Sequence, residues 1–133
     1  MDKSKLYVVL SPILGFALII FGVQKFGGPN FIFETIAERS GIELFEPVVR
    51  RLVGIAELLA GAFLLFKRTR MTGALIGLCV LVGAVGFHLS PWLGIVIPGG
   101  GHGLFITALV MLVMAAVNFY LLRQTDEKLL FIK

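Results

Sequence analysis

Four apolar stretches, each about as long as the oily part of a bilayer is thick, dominate this sequence. A hydrocarbon core of about 30 Å needs roughly 20 helical residues at 1.5 Å each. The runs cover residues 6–26, 48–66, 71–89 and 103–122. The first is apolar until Gln24 and Lys25, and the second is broken only by Arg50, Arg51 and Glu57. Pro47 stands at the start of the second run, where proline's missing N–H costs a helix nothing. Pro91 and Pro98 bracket the turn between the third and fourth. The 133 residues are 58% hydrophobic and 15% charged, with a mean hydropathy of +0.98. Soluble domains are roughly half apolar and about a quarter charged, and a small fold buries too little surface to hide such an excess. A soluble single domain and a disordered chain are both excluded. The expected fold is all-α, a four-helix transmembrane bundle forming one integral-membrane domain. The first run exceeds the signal-peptide core of about 7–15 residues and no small-x-small site follows it, so an uncleaved span is expected.

Charge sets the expected orientation. Four spans put both termini and the link Lys67–Arg70 on one side, together with Lys3, Lys5, Lys67, Arg68, Arg70, Arg123, Lys128 and Lys133, eight of the twelve basic residues. Short basic loops stay in the cytoplasm. Both termini are therefore expected inside a multi-pass protein, with the connections 27–47 and 90–102 facing outward. The formal charge of +4 then reads as anchoring at the bilayer surface, and no nucleic-acid partner is expected. The sole cysteine, Cys79, forms no internal disulfide and no dithiol relay.

The first outward connection is long for a structureless link. Gly27-Gly28-Pro29-Asn30 reads as a turn and Phe31 to Ser40 as a short amphipathic helix, with Phe31, Phe33, Ile36 and Ala37 available for its apolar side and Gly41 as its stop. Glu34, Glu38, Glu43 and Glu46 read as a solvated acidic surface.

Within a membrane, close backbone approach at small residues draws helices together. Ser11, Gly15 and Gly22 share a stripe of the first span; Gly54 and Gly61 flank Glu57 on the second; Gly73, Gly77 and Ala84 lead to His88 on the third. Thr107, Met111, Met114, Ala115 and Asn118 mark the fourth, the methionines read as packing. Glu57 lies nine residues from either end of its run, about 13 Å into the hydrocarbon. An acid at that depth marks either a functional site or a polar contact that fixes helix packing. Gln24, Lys25, Arg50, His88 and His102 fall near the outer ends of their spans, so the expectation is a polar funnel opening outward with Glu57 as its floor. The candidate ligand-binding residues are thus Gln24, Lys25, Arg50, Glu57, His88 and His102, with Glu57 and His88 the candidates for proton transfer. His88, His102 and Glu57 lack metal-ligand spacing and no metal is expected. Gly99-Gly100-Gly101-His102-Gly103 resembles a phosphate loop in composition alone.

Several of these segments resemble the DoxX family, in its broad DoxX-like sense: Gly22-x-x-Lys25, then Arg51-Leu52-Val53-Gly54-Ile55-Ala56-Glu57-Leu58-Leu59-Ala60-Gly61, then Lys67-Arg68-Thr69-Arg70, and Gly83-Ala84-x-x-x-His88. The resemblance runs through essentially the whole chain. It implies a four-helix bundle in a bacterial cytoplasmic membrane, with the family's lysine, glutamate and histidine positions falling on Lys25, Glu57 and His88. It also implies association with redox systems, a thiosulfate:quinone oxidoreductase among them, while animal relatives resemble assembly chaperones. Three readings follow. One is a redox-linked subunit that binds a quinone or similar small lipophilic molecule. Another is a non-catalytic assembly or partner subunit. The last is a solute or proton pathway, which the sparse polarity of the inner half disfavours. The lipid bilayer is the expected partner, with a redox protein or a second copy of the chain as candidates, and a quinone is the candidate cofactor.

Overall fold

The computed structural model describes residues 5–97 and 101–130, with side chains as far as residue 125. Lys3, Pro98, Gly99, Gly100 and Lys133 lie outside the described residues, as does the side chain of Lys128. The described chain is all-helical, without a strand. In order it comprises α1 (Leu6–Gln24), α2 (Phe31–Ser40), a short 3-10 turn (Glu43–Phe45), α3 (Val48–Leu65), α4 (Arg70–Leu89) and α5 (Gly103–Leu130). Three helices are long and apolar enough to cross a membrane: Leu6–Gln24, Arg70–Leu89 and Gly103–Thr125. The remaining long helix, α3, has 18 residues and carries Arg50, Arg51 and Glu57.

The boundaries differ modestly from the expected spans. Helix α1 stops at Gln24, because the chain turns at Lys25 and Phe26, whose N–H groups donate to Gly22 and Val23 carbonyls. Helix α5 continues past residue 122 to Leu130, since Arg123, Gln124 and Thr125 are good or tolerable helix residues and no glycine or proline intervenes. Pro47 precedes α3 as its cap residue.

The long helices touch in the order α1, α3, α4, α5 and back to α1. Small residues decide how closely. A Cβ added to Gly61 would lie 2.6 Å from the Gly15 carbonyl oxygen, and one on Gly22 would lie 3.0 Å from the Gly54 oxygen. The pairing of Gly15 with Gly61 and of Gly22 with Gly54 makes α1 and α3 antiparallel at backbone contact. Gly73 does the same between α4 and α3, 2.7 Å from the Ala60 oxygen. The core so formed contains Leu14, Leu18, Ala60, Leu64, Ala74, Leu81, Met111, Ala115 and Leu122.

The exterior is apolar. Phe16, Ile20 and Val23 on α1, Val82 on α4, and Val110 and Val113 on α5 are all more than half exposed. Ser11, Arg50, Glu57, His88 and Asn118 are buried instead, and Ser11 Oγ donates to Asn118 Oδ1 at 2.9 Å, tying α1 to α5. This inverted distribution suits a hydrocarbon solvent, in which polar groups must find partners inside the protein.

Helix α2 starts on Asn30, whose Oδ1 accepts from the Ile32 N–H at 2.9 Å, and ends at Gly41 with a φ of 75°, a left-handed conformation that glycine adopts without a Cβ clash. Its buried face is Phe33, Thr35 and Ile36. Phe31 is half exposed, contrary to its expected place on the apolar side, because the face turned to the bundle runs through Ile32, Phe33 and Ile36 instead. Ile36 joins Leu93 and Ile97 from the α4–α5 connection, with Ile32, Phe45 and Phe87 packed around them. The Arg39 guanidinium donates to the Leu93 carbonyl at 3.1 Å. The two connections thereby form a single lid over one end of the bundle.

Gly61→Ala is expected to cost about 1–3 kcal/mol by overpacking against backbone. Gly83→Ala, where an added Cβ meets nothing within 4 Å, is expected to be neutral or to gain up to about 1 kcal/mol in helix propensity. Thermal unfolding of both variants in mild detergent checks the contrast, and equal stabilities would contradict the packing described.

Candidate functional site

Beneath the lid, α1 and α3 bring an opposite-charge pair together. Lys25 Nζ lies 3.1 Å from Glu57 Oε2 and donates to Oε1 at 3.3 Å. It also donates to the Phe21 carbonyl at 3.3 Å and sits 5.9 Å from the Phe21 ring centroid. Two of the three ammonium hydrogens thus have acceptors, leaving one to donate, and Glu57 Oε2 accepts no hydrogen bond within the protein. Glu57 is 7% exposed. Burying such a charge is costly unless it is paired, and removing one partner leaves the other stranded. Gly54, one turn before Glu57, lets the pair form: a Cβ there would lie 2.8 Å from Lys25 Cβ.

Arg50 occupies a different place from the one its sequence position suggests. Its Nε lies 2.8 Å from both carboxylate oxygens of Glu46, and its Nη1 donates to the Lys25 carbonyl. It therefore caps the C-terminus of α1, where unpaired carbonyls and the helix dipole attract a cation. Glu46 also accepts from the Asn30 N–H at 3.1 Å, which ties the two ends of the first connection. Glu46 is thus a linchpin and not part of a solvated acidic face; Glu34, Glu38 and Glu43 do remain exposed. The four-residue spacing of Glu46 and Arg50 was the available signal for this pair.

Two cavities adjoin the Lys25–Glu57 pair. The larger, about 400 Å³, is walled by Leu52, Val53, Ala56 and Glu57 of α3 and by Cys79, Val80, Gly83, Ala84, Phe87 and His88 of α4. It is roofed by Ile32, Phe33 and Ile36 of α2 with Leu93, and Lys25 closes its α1 side. The smaller, about 110 Å³, lies toward α5 against Leu104, Thr107, Ala108 and Met111. Lys25, Ile32, Glu57, Ala84 and His88 line both. The arrangement is an apolar chamber with three polar side chains converging on it, the usual make-up of a small-molecule site.

His88 is 5% exposed, and its Nδ1 lies 2.9 Å from the Gly94 carbonyl oxygen. A carbonyl only accepts, so Nδ1 carries a proton and Nε2 is the ring nitrogen left for a ligand. The positive φ of Gly94, 86°, turns its carbonyl back onto the ring. Phe105 packs beside the imidazole with centroids 5.6 Å apart.

Of the six candidate ligand residues, the structure brings together Lys25, Glu57 and His88. Gln24 and His102 are exposed, and with Arg50 they line neither cavity. The expected funnel does not open outward either: Phe33, Ile36 and Leu93 above it are buried. Cys79 and the roof residues of α2 line the chamber without a signal in the sequence: Cys79 by the rotation of α4 against α3, the roof by how the first connection folds over the bundle. Among the described residues no three His, Cys, Asp or Glu side chains group as a metal site. Compared with family models, curated proteins and solved structures, the chain matches none, so function is argued from the site.

Arg50→Lys is expected to destabilise the fold by about 1.5–3 kcal/mol, since an ammonium cannot engage both Glu46 oxygens and the Lys25 carbonyl in the planar geometry of a guanidinium. Denaturant titration followed by helical circular dichroism measures this; wild-type stability in the variant would show that the Arg50 contacts contribute nothing.

Proposed function

We propose that this chain is a four-span membrane protein of the DoxX-like kind that binds the head of a quinone, or a similar small lipophilic carbonyl compound, in the chamber beside Lys25, Glu57 and His88. In this reading α3 crosses the bilayer with the other three long helices, its buried charges matched by Glu46 and Lys25. The basic link Lys67–Arg70 and both termini lie on the cytoplasmic side of a bacterial membrane, and the lid faces outward. The observation that carries the proposal is a buried glutamate paired with a largely covered lysine on the wall of a mostly apolar chamber of about 400 Å³.

The chemistry fits such a head. Lys25 is a donor for a carbonyl oxygen, and the Glu57 carboxylate and His88 Nε2 are acceptors for the hydroxyls of the reduced form. Interconverting quinone and quinol moves electrons and protons together. Electrons come from a redox partner protein, and Glu57 and His88 hold or deliver protons at the ring oxygens.

Wild-type protein extracted in mild detergent is expected to carry extractable quinone and to bind added decylubiquinone. Glu57→Gln keeps an oxygen that accepts from Lys25, so the fold is retained while affinity drops about tenfold, a cost of about 1.4 kcal/mol. Wild-type protein that carries no quinone and fails to bind decylubiquinone contradicts the proposal, and a stoichiometric partner protein copurifying in its place would favour an assembly role.

A further inference from the structure

Helices α3 and α4 are not equally close along their length. Near the basic link, a Cβ on Gly73 would collide with α3 backbone at 2.7–2.8 Å, and Gly77 still has the Ala60 Cβ at 3.8 Å. Toward the lid, an added Cβ on Gly83 meets nothing within 4 Å, although Gly83 lines the large chamber. There the large chamber lies between the two helices, lined by Leu52, Val53 and Ala56 of α3 and by Val80, Gly83 and Ala84 of α4. Exposure follows the same gradient: the chamber's roof residues Ile36 and Leu93 are buried, whereas Leu52, Cys79 and Gly83 on its flank are exposed. These flank residues sit on the apolar exterior, level with the spans.

We propose that the chamber is a lateral site, entered from the bilayer through the gap between α3 and α4, and that its ligand is a tailed amphiphile whose head meets Lys25, Glu57 and His88 while its chain leaves past Cys79 and Gly83 into lipid. The inference rests on the proposed binding of a lipophilic head and adds the route and the tail. Every side chain at the mouth is apolar or a thiol, so an alkyl or prenyl chain is solvated there as it is in lipid. Among the described residues the lid covers that end of the chamber, held by the Arg39–Leu93 hydrogen bond and the Ile36–Leu93–Ile97 cluster.

The test compares decylubiquinone with its tail-less dimethoxy-methyl-benzoquinone head, each titrated against protein in lipid nanodiscs with concentrations corrected for partitioning. Wild-type protein is expected to bind the tailed compound about tenfold or more tighter than the head. Gly83→Phe fills open space at the mouth, and there the ratio is expected to collapse toward one; Cys79→Phe, at an exposed position of the same mouth, should do the same. Val113→Phe adds bulk at an exposed position of α5 that lines neither cavity, and should leave the ratio intact. Tailed and tail-less compounds binding equally to wild type, or a ratio unmoved by both mouth variants, overturns the lateral route while leaving head binding in place. Failure of wild type to bind either compound removes the head-binding reading and this inference with it.

Discussion

A carboxylate and an ammonium held together inside a protein with an oily exterior set the terms for everything around them. Glu57 sits in the middle of α3 and Lys25 at the end of α1, and neither can be desolvated alone. Their meeting fixes the rotation of α3, its axial register against α1, and the side of α1 from which Lys25 projects. The glycines are the geometric condition for it. With Gly22 against Gly54 and Gly15 against Gly61, the backbones come close enough for a lysine at a helix end to reach an acid two turns inside its neighbour.

Arg50 and Glu46 extend the same logic to the first connection. Their pairing and the cap on Lys25 hold the start of α3 against the end of α1, and Asn30 joins from the other end of the loop. The connection can then cross the bundle as α2, meeting the α4–α5 connection in a small apolar cluster. What lies below is a chamber whose polar groups are Lys25 just past the end of α1, Glu57 in the middle of α3 and His88 in the last turn of α4. It lies between α3 and α4, and the glycines nearer the basic link keep the rest of the bundle closed.

Helix positions and the level of each polar residue along them could be read from the sequence; directions around each axis could be read only in part. Lys25, Glu57 and His88 line a common chamber, and each lies on or next to a stripe of small residues that faces a neighbouring helix. Gln24 and His102 stand at the same level yet point away, since they lie where a helix end gives way to a turn and no stripe constrains them. Arg50 shares the Glu57 face by spacing, but a carboxylate four residues earlier takes it. The lid was out of reach for a different reason: Ile36, Leu93 and Ile97 are far apart in the chain, and nothing local records that they touch. The buried Ser11–Asn118 contact was half visible, both residues standing on stripes of their helices without any sign of being partners.

A double-mutant cycle on Lys25→Met and Glu57→Leu, with unfolding measured in the same detergent for all four proteins, reaches the central claim most directly. Each single substitution strands one buried charge and should cost about 3–5 kcal/mol, while the double variant, with both charges gone, should cost well below the sum. Strictly additive losses would mean that the two side chains do not meet, and the chamber built around them would have no foundation.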